Sequence, residues 1–61
     1  MPFTATEKRE AAEREVKMRK RVYPRWIETG KLSEYEADRQ IKLMEAIAED
    51  YRQQEGTERL I

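Results

Sequence analysis

Two helix-start signatures stand on either side of a single glycine, and that arrangement fixes most of what this chain can fold into. Thr4-Ala-Thr-Glu7 and Ser33-Glu-Tyr-Glu36 both read hydroxyl-x-x-Glu. In such a box the hydroxyl accepts from a free amide of the first turn, and the carboxylate reaches back to the cap amide. Gly30 lies just before the second box, where a left-handed backbone ends a helix without the clash that a Cβ would bring. After each start the apolar residues recur with helical period. Ala12, Val16, Arg19, Tyr23 and Trp26 share one stripe at about 100° per residue. Ala11, Met18 and Val22 widen it on one side and Ile27 on the other. In the second segment Ala37, Ile41, Met44, Ala48 and Tyr51 form the stripe, flanked by Leu43 and Ile47. The spacing predicts helices over about residues 5–29 and 34–54, with Gly56 as the second stop and residues 56–61 as a frayed tail.

Pro24 interrupts the first pattern. It donates no hydrogen bond and crowds the Lys20 carbonyl, at a cost of about 3 kcal/mol in a regular helix interior. The helix either stops near Val22 or kinks and continues. The kink is the expected outcome, because Tyr23, Trp26 and Ile27 keep the helical phase across the proline. A short connection between two long helices makes an antiparallel hairpin. The expected fold class is therefore all-α, a single helical-hairpin domain over residues 1–61. Ala11, Ala12, Ala37 and Ala48 allow close approach of its inner faces. Tyr23, Trp26, Ile27, Leu43, Ile47 and Tyr51 are more large apolar groups than a two-helix seam covers. Dimerisation into a four-helix bundle, or docking on another protein, is expected to cover them.

The residue inventory excludes several chemistries. With no cysteine and no histidine, the chain lacks thiolate metal sites, disulfides, the commonest general base and the commonest metal ligand. The carboxylate pairs Glu45–Glu49 and Glu34–Asp38 have no histidine to complete a bundle metal site. The single serine, Ser33, is better used as a cap than as a nucleophile, and nothing resembles a phosphate-binding glycine loop. A non-enzyme without metal or cofactor is expected. Thirteen bases cancel thirteen acids, so bulk charge offers no pull toward nucleic acid or membrane. No apolar run suits a signal peptide or a membrane span, and a cytoplasmic location is the expectation. The second helix carries three bases against seven acids from Ser33 to Glu55, which argues against insertion into duplex DNA.

The zero sum hides a polarity. Residues 17–45, which fold to the turn end, hold eight bases and five acids, and the remainder holds five bases and eight acids. Helix-dipole complementation accounts for part of this. The Arg19–Trp26 segment, Arg-Lys-Arg-Val-Tyr-Pro-Arg-Trp, is the densest mixture of cations and aromatics in the chain. Two readings are open. In one, Tyr23 and Trp26 are core and the cations are solvated, with Glu15 pairing Arg19 across one turn. In the other, Arg19, Arg21, Arg25 and Lys31 converge on an anion while Tyr23 or Trp26 stacks on a ring, and Tyr35 borders the surface.

The run from Arg19 to Gly30, with Val22-Tyr23-Pro24 and then Gly30-Lys31, is followed by Ala37-Asp38, Ile41 and Met44-Glu45-Ala46-Ile47. This pattern resembles a group of short, uncharacterised proteins encoded in phages, prophages and proteobacterial genomes, over roughly residues 6–52. The resemblance implies an accessory protein, in the host cytoplasm if phage-encoded, that binds a host component or a signalling molecule. The expected function is that of a non-catalytic, self-associating hairpin binding a host protein or other macromolecule through Tyr23, Trp26 and Tyr35, with Arg19, Arg21 and Arg25 as polar anchors. The alternatives are an anionic nucleotide, cyclic nucleotides included, held between subunits at the basic end, and single-stranded nucleic acid.

Overall fold

A computed structural model describes residues 3–60, which form two packed helices, α1 (Ala5–Glu28) and α2 (Glu34–Leu60). The described residues contain no strand, and the fold is the expected all-α hairpin.

The start of α1 is closed as its sequence predicts. The Glu7 amide donates to Thr4 Oγ1 at 3.1 Å, and the Thr4 amide donates to the Glu7 carboxylate at 3.1 Å. Its end is a Schellman turn. Gly30 takes φ +77°, its amide reaches the Ile27 carbonyl at 3.1 Å, and the Lys31 amide reaches the Trp26 carbonyl at 2.9 Å. These bonds satisfy carbonyls that the last helical turn leaves without donors. Three residues later Ser33 opens α2, with its Oγ accepting from the Glu36 amide at 3.1 Å. Between these caps α1 runs through Pro24 without ending. Pro24 is exposed, so the Lys20 carbonyl that it deprives of a donor lies where water can replace it.

Gly56 does not stop α2. The helix was expected to end there, yet it continues through Gly56 in ordinary helical conformation to Leu60. Glycine permits a stop without imposing one. Here the preceding residue, Glu55, is buried and bonded across to α1, which holds the backbone in helical register past the expected boundary. Of the expected frayed tail, Ile61 lies outside the described residues.

The seam between the helices is lined by small side chains. Its buried apolar residues are Ala5, Ala12 and Tyr23 from α1 and Ala37 and Ala48 from α2. Ala11, expected on the inner face, is exposed, and Ala5 takes the inner position instead. Run antiparallel, these positions come into register: Ala5 is level with Glu55, Ala12 with Ala48, and Tyr23 with Ala37. The cross-helix contacts Thr6–Glu55, Glu13–Arg52 and Lys20–Glu45 run in the same antiparallel order, the long Arg52 and Lys20 side chains reaching along the rod. The result is a rod measuring 48 × 18 × 16 Å with a radius of gyration of 14.2 Å. A compact chain of this length would have a radius near 10–11 Å, about 2.2·N^0.38.

The two glycines yield opposite predictions. Neither has a heavy atom within 4 Å of a built Cβ, so backbone conformation alone decides. Gly30→Ala should lose about 1–2 kcal/mol, because an L-residue is strained at positive φ. Gly56→Ala should gain about 0.5–1 kcal/mol by removing a helix-interior glycine. Urea denaturation followed by circular dichroism measures both, and a loss on Gly56→Ala would contradict the continuous α2.

Candidate interaction surface

Each long edge of the seam is lined by one flank of α1 and one flank of α2, and the two edges differ in chemistry. On the first edge the flanks are tied by charge. The Glu13 carboxylate accepts from Arg9 at 2.6 Å and from Arg52 at 2.7 Å, and Arg52 also engages Glu49. Lys20 reaches Glu45 at 3.3 Å. The network is anchored by Glu55, only 6% exposed, which accepts from Thr6 Oγ1 at 2.7 Å and Arg9 Nε at 2.5 Å. The hydrogen bond to Glu55 raises the Arg9 guanidinium further above its already high pKa, and the hydrogen bonds to Glu49 and Glu13 do the same for Arg52. Both therefore stay charged at any working pH. Glu13 stands four residues before Lys17, the spacing of a surface pair on α1. It is taken by Arg9 and Arg52 instead, because isolated surface pairs are worth only a few tenths of a kcal/mol and the shared edge offers two guanidiniums.

The second edge is mostly apolar. Met18, Val22 and Trp26 recur every four residues on α1, and Leu43, Ile47 and Tyr51 do the same on α2. Helical register sets these rows on the flanks opposite Glu13, Lys20, Glu45 and Arg52. The flanks meet where Lys8 Nζ lies 5.5 Å from the centre of the Tyr51 ring. Met18, Val22, Ile47 and Tyr51 are half-buried, while Trp26 and Leu43 keep 40% and 51% of their surface exposed. On the outward side of the start of α1 lies a separate shallow groove of about 400 Å³, lined by Phe3, Glu7, Lys8, Glu10, Ala11 and Arg14. Phe3 is 60% exposed.

The residues singled out from the sequence are distributed between core, edge and outer surface. Tyr23 is core, 8% exposed, with its hydroxyl accepting from Arg19 Nε at 3.0 Å. Arg19 in turn donates to Glu15 at 2.9 Å, so the charge in the apolar stripe is resolved by the neighbour one turn away. Trp26 packs on Tyr23 with ring centroids 5.4 Å apart and planes at 34°, and turns its remaining surface to the apolar edge. Arg21 and Arg25 are each two positions from buried Tyr23, about 200° around α1, and are exposed. Lys31 is exposed in the turn. Tyr35, 71% exposed, stands two positions before buried Ala37 and therefore on the back of α2. The structure thus joins Arg19, Tyr23 and Trp26 and separates them from Arg21, Arg25, Lys31 and Tyr35. It does not gather the four cations around one point.

Sequence reasoning missed Glu55, because its helix was expected to end near residue 54. The signal was present: Glu55 lies eighteen residues after Ala37, five full turns at 3.6 residues per turn, and so occupies the same stripe. Among the described residues no group of three or more carboxylates could hold a metal ion, and no helix is long and apolar enough to cross a membrane. No protein-family model matches the chain, and no curated protein or solved structure matches it.

Two substitutions separate the buried contact from the surface pairs. Glu55→Ala removes a buried acceptor shared by Thr6 and Arg9 and should cost about 1–3 kcal/mol. Lys42→Ala breaks only the exposed pair with Asp38 and should cost less than about 0.5 kcal/mol. Chemical denaturation of both variants, at low and at high salt, checks the ranking.

Proposed function

We propose that this chain is a non-catalytic interaction protein that acts as a self-associated helical bundle. The observation that carries this reading is the uncovered apolar edge, where Met18, Val22 and Trp26 lie beside Leu43, Ile47 and Tyr51, while the opposite edge is bridged by ion pairs across a shallow groove of about 450 Å³. The areas support it. A compact monomer of this mass, 7.4 kDa, would expose about 4,200 Å², against 4976 Å² for the hairpin. The excess is on the order of the 800 Å² that one partner contributes to a standard interface. Two hairpins joined on this edge make a four-helix bundle, whose core gains the large side chains that the alanine seam lacks.

On such a bundle Tyr35, Arg21 and Lys31 remain exposed at the turn end and offer an aromatic and cationic surface to a macromolecular partner. The outward position of Tyr35 and the scatter of the cations favour a broad contact over a closed ligand cleft. Their residue types suit a host protein of the kind that the phage-like sequence pattern implies.

Leu43→Glu tests the self-association. Leu43 is half exposed in the single hairpin and glutamate is as good a helix former, so the secondary structure should persist. Burying a carboxylate in the interface should weaken association at least tenfold, as loss of a central apolar contact does. Sedimentation velocity across a hundredfold concentration range should show a dimer for the unmodified chain and a shift toward monomer for the variant. A folded monomer throughout for the unmodified chain would refute the proposal.

A further inference from the structure

We infer that the outward face of α1 binds an acidic helical segment of another protein through a row of four cations, Arg14, Lys17, Arg21 and Arg25. The inference rests on the reading of the chain as an interaction protein and names the chemistry of its partner. It does not need the self-association, which uses a different side of α1.

The row follows from helical register. At about 100° per residue, all four cations stand within about 40° of the meridian opposite buried Ala12, and all four are exposed. From Arg14 to Arg25 they cover about 16 Å of helix. Their lack of partners sets them apart. The cations beside the seam are engaged, Arg9 by Glu13 and Glu55, Arg19 by Glu15, Lys20 by Glu45, and Arg52 by Glu13 and Glu49. Among the described residues no ion pair reaches Arg14, Lys17, Arg21 or Arg25. The helix dipole does not account for the row, because its effect falls off within the last turn. That turn holds only Arg25, whereas Arg14 and Lys17 lie at mid-helix. Lys17, Arg21 and Arg25 also succeed one another at four-residue spacing, where like charges repel and destabilise a helix. An anionic partner relieves that repulsion.

The ends of the row select the partner. On the same meridian Glu10 precedes Arg14 and Glu28 follows Arg25. A nucleic-acid strand running along α1 meets a carboxylate at each end, and one crossing α1 meets only one or two cations. The row also lacks the stacking groups that single strands use, since Tyr23 is core and Trp26 lies on the apolar edge. A partner helix with carboxylates at every third or fourth position repeats its charge at the same rise of about 4.5–6 Å. Three turns of such a helix fit between Glu10 and Glu28. A second copy fits less well. Setting Glu7 and Glu10 on Arg25 and Arg21 of the other copy brings Arg14 of each against Lys17 of the other, like charge on like. Past Arg14 the same side of α1 continues into the groove lined by Phe3, Glu7, Glu10 and Ala11 among others. Phe3, 60% exposed there, offers the end of the segment an apolar anchor.

The test follows the isotope-labelled full chain by NMR while an alanine-based helical peptide is added. The peptide, about 14 residues long, bears glutamate at every fourth position and a phenylalanine at one end. The amides of residues 14–25 should shift, and a peptide with glutamine for glutamate should leave them in place. Affinity should fall about tenfold as sodium chloride rises from about 20 to 200 mM, because exposed charges are screened. Arg14→Gln combined with Arg21→Gln should weaken binding about tenfold, whereas Lys42→Gln, off the row, should not. Neither arginine has a partner to lose, so the double variant should melt no lower than the unmodified chain. Tighter binding of an oligothymidylate to the same residues would overturn the choice of partner. Shifts of these amides on concentrating the chain alone would overturn it in favour of a second copy, and no shift with any probe would overturn the site itself. Sedimentation of the same samples separates the two proposals, since a monomer that binds the peptide refutes self-association and leaves this inference standing.

Discussion

Everything else in the structure depends on the seam being lined by alanine. An alanine brings one methyl group to the interface, on the order of 0.8 kcal/mol, against about 1.5–3 kcal/mol for a buried leucine or isoleucine. Four of the five apolar residues buried between α1 and α2 are alanines, and Tyr23 is the one large side chain among them. Val16, Ile41 and Met44 share the inner stripes with these alanines but are only half-buried. Met18, Val22, Leu43 and Ile47 lie on a flank by their position around each helix, half-buried or exposed, and do not fill a core. The hairpin gains precise register from this arrangement but little burial.

The two edges then resolve the same geometric problem differently. On one, the long side chains of Arg9, Lys20 and Arg52 span the seam and end on Glu55, Glu45 and Glu13. Most of these pairs are solvent-exposed, so their main effect is to fix alignment; exposed pairs add little stability. Glu55 is the exception, since a buried carboxylate requires partners to remain folded in. On the other edge the groups are apolar and have no such internal solution. Water against Trp26 and Leu43 is disfavoured whatever the alignment, and only another surface removes it. One edge of the hairpin is thus bridged by its own charges, and the other leaves apolar surface in water.

Much of this fold was legible in the residues. Thr4 and Ser33 announce their helices because a hydroxyl at the cap position has one dominant use, and Gly30 announces the turn because few other residues accept its φ of +77°. Gly56 was misleading for the complementary reason: a glycine also tolerates helical φ, and only the tertiary contacts of Glu55 reveal which conformation it takes. The inner alanines were half legible. Ala12, Ala37 and Ala48 fall on the stripes, whereas Ala11 and Ala5 exchange roles because an alanine-rich helix start offers several similar faces. The candidate site suffered most. Arg19, Arg21 and Arg25 are neighbours in sequence, but successive positions rotate about 100° around a helix, so one turns inward to Tyr23 and Glu15 while the others face solvent. Cation density along a line does not become density in space on a helix.

Two spacings coexist on these helices, and their difference explains how one short chain specifies both an inner seam and a separate apolar edge. The buried positions Ala5, Ala12 and Tyr23, like Ala37, Ala48 and Glu55, span eighteen residues in each helix. That is five turns at 3.6 residues per turn, so the seam stays in phase with straight helices and requires no supercoil. The large residues repeat every four, at 18, 22 and 26 and at 43, 47 and 51. A four-residue step advances about 40° beyond a full turn, so each row drifts across one flank of its helix and never enters the seam. Small residues on the first spacing close the hairpin, and large residues on the second gather on a single edge. Because the two sets share no position, the alanines can serve the seam and the edge residues the proposed association, without either demand compromising the other.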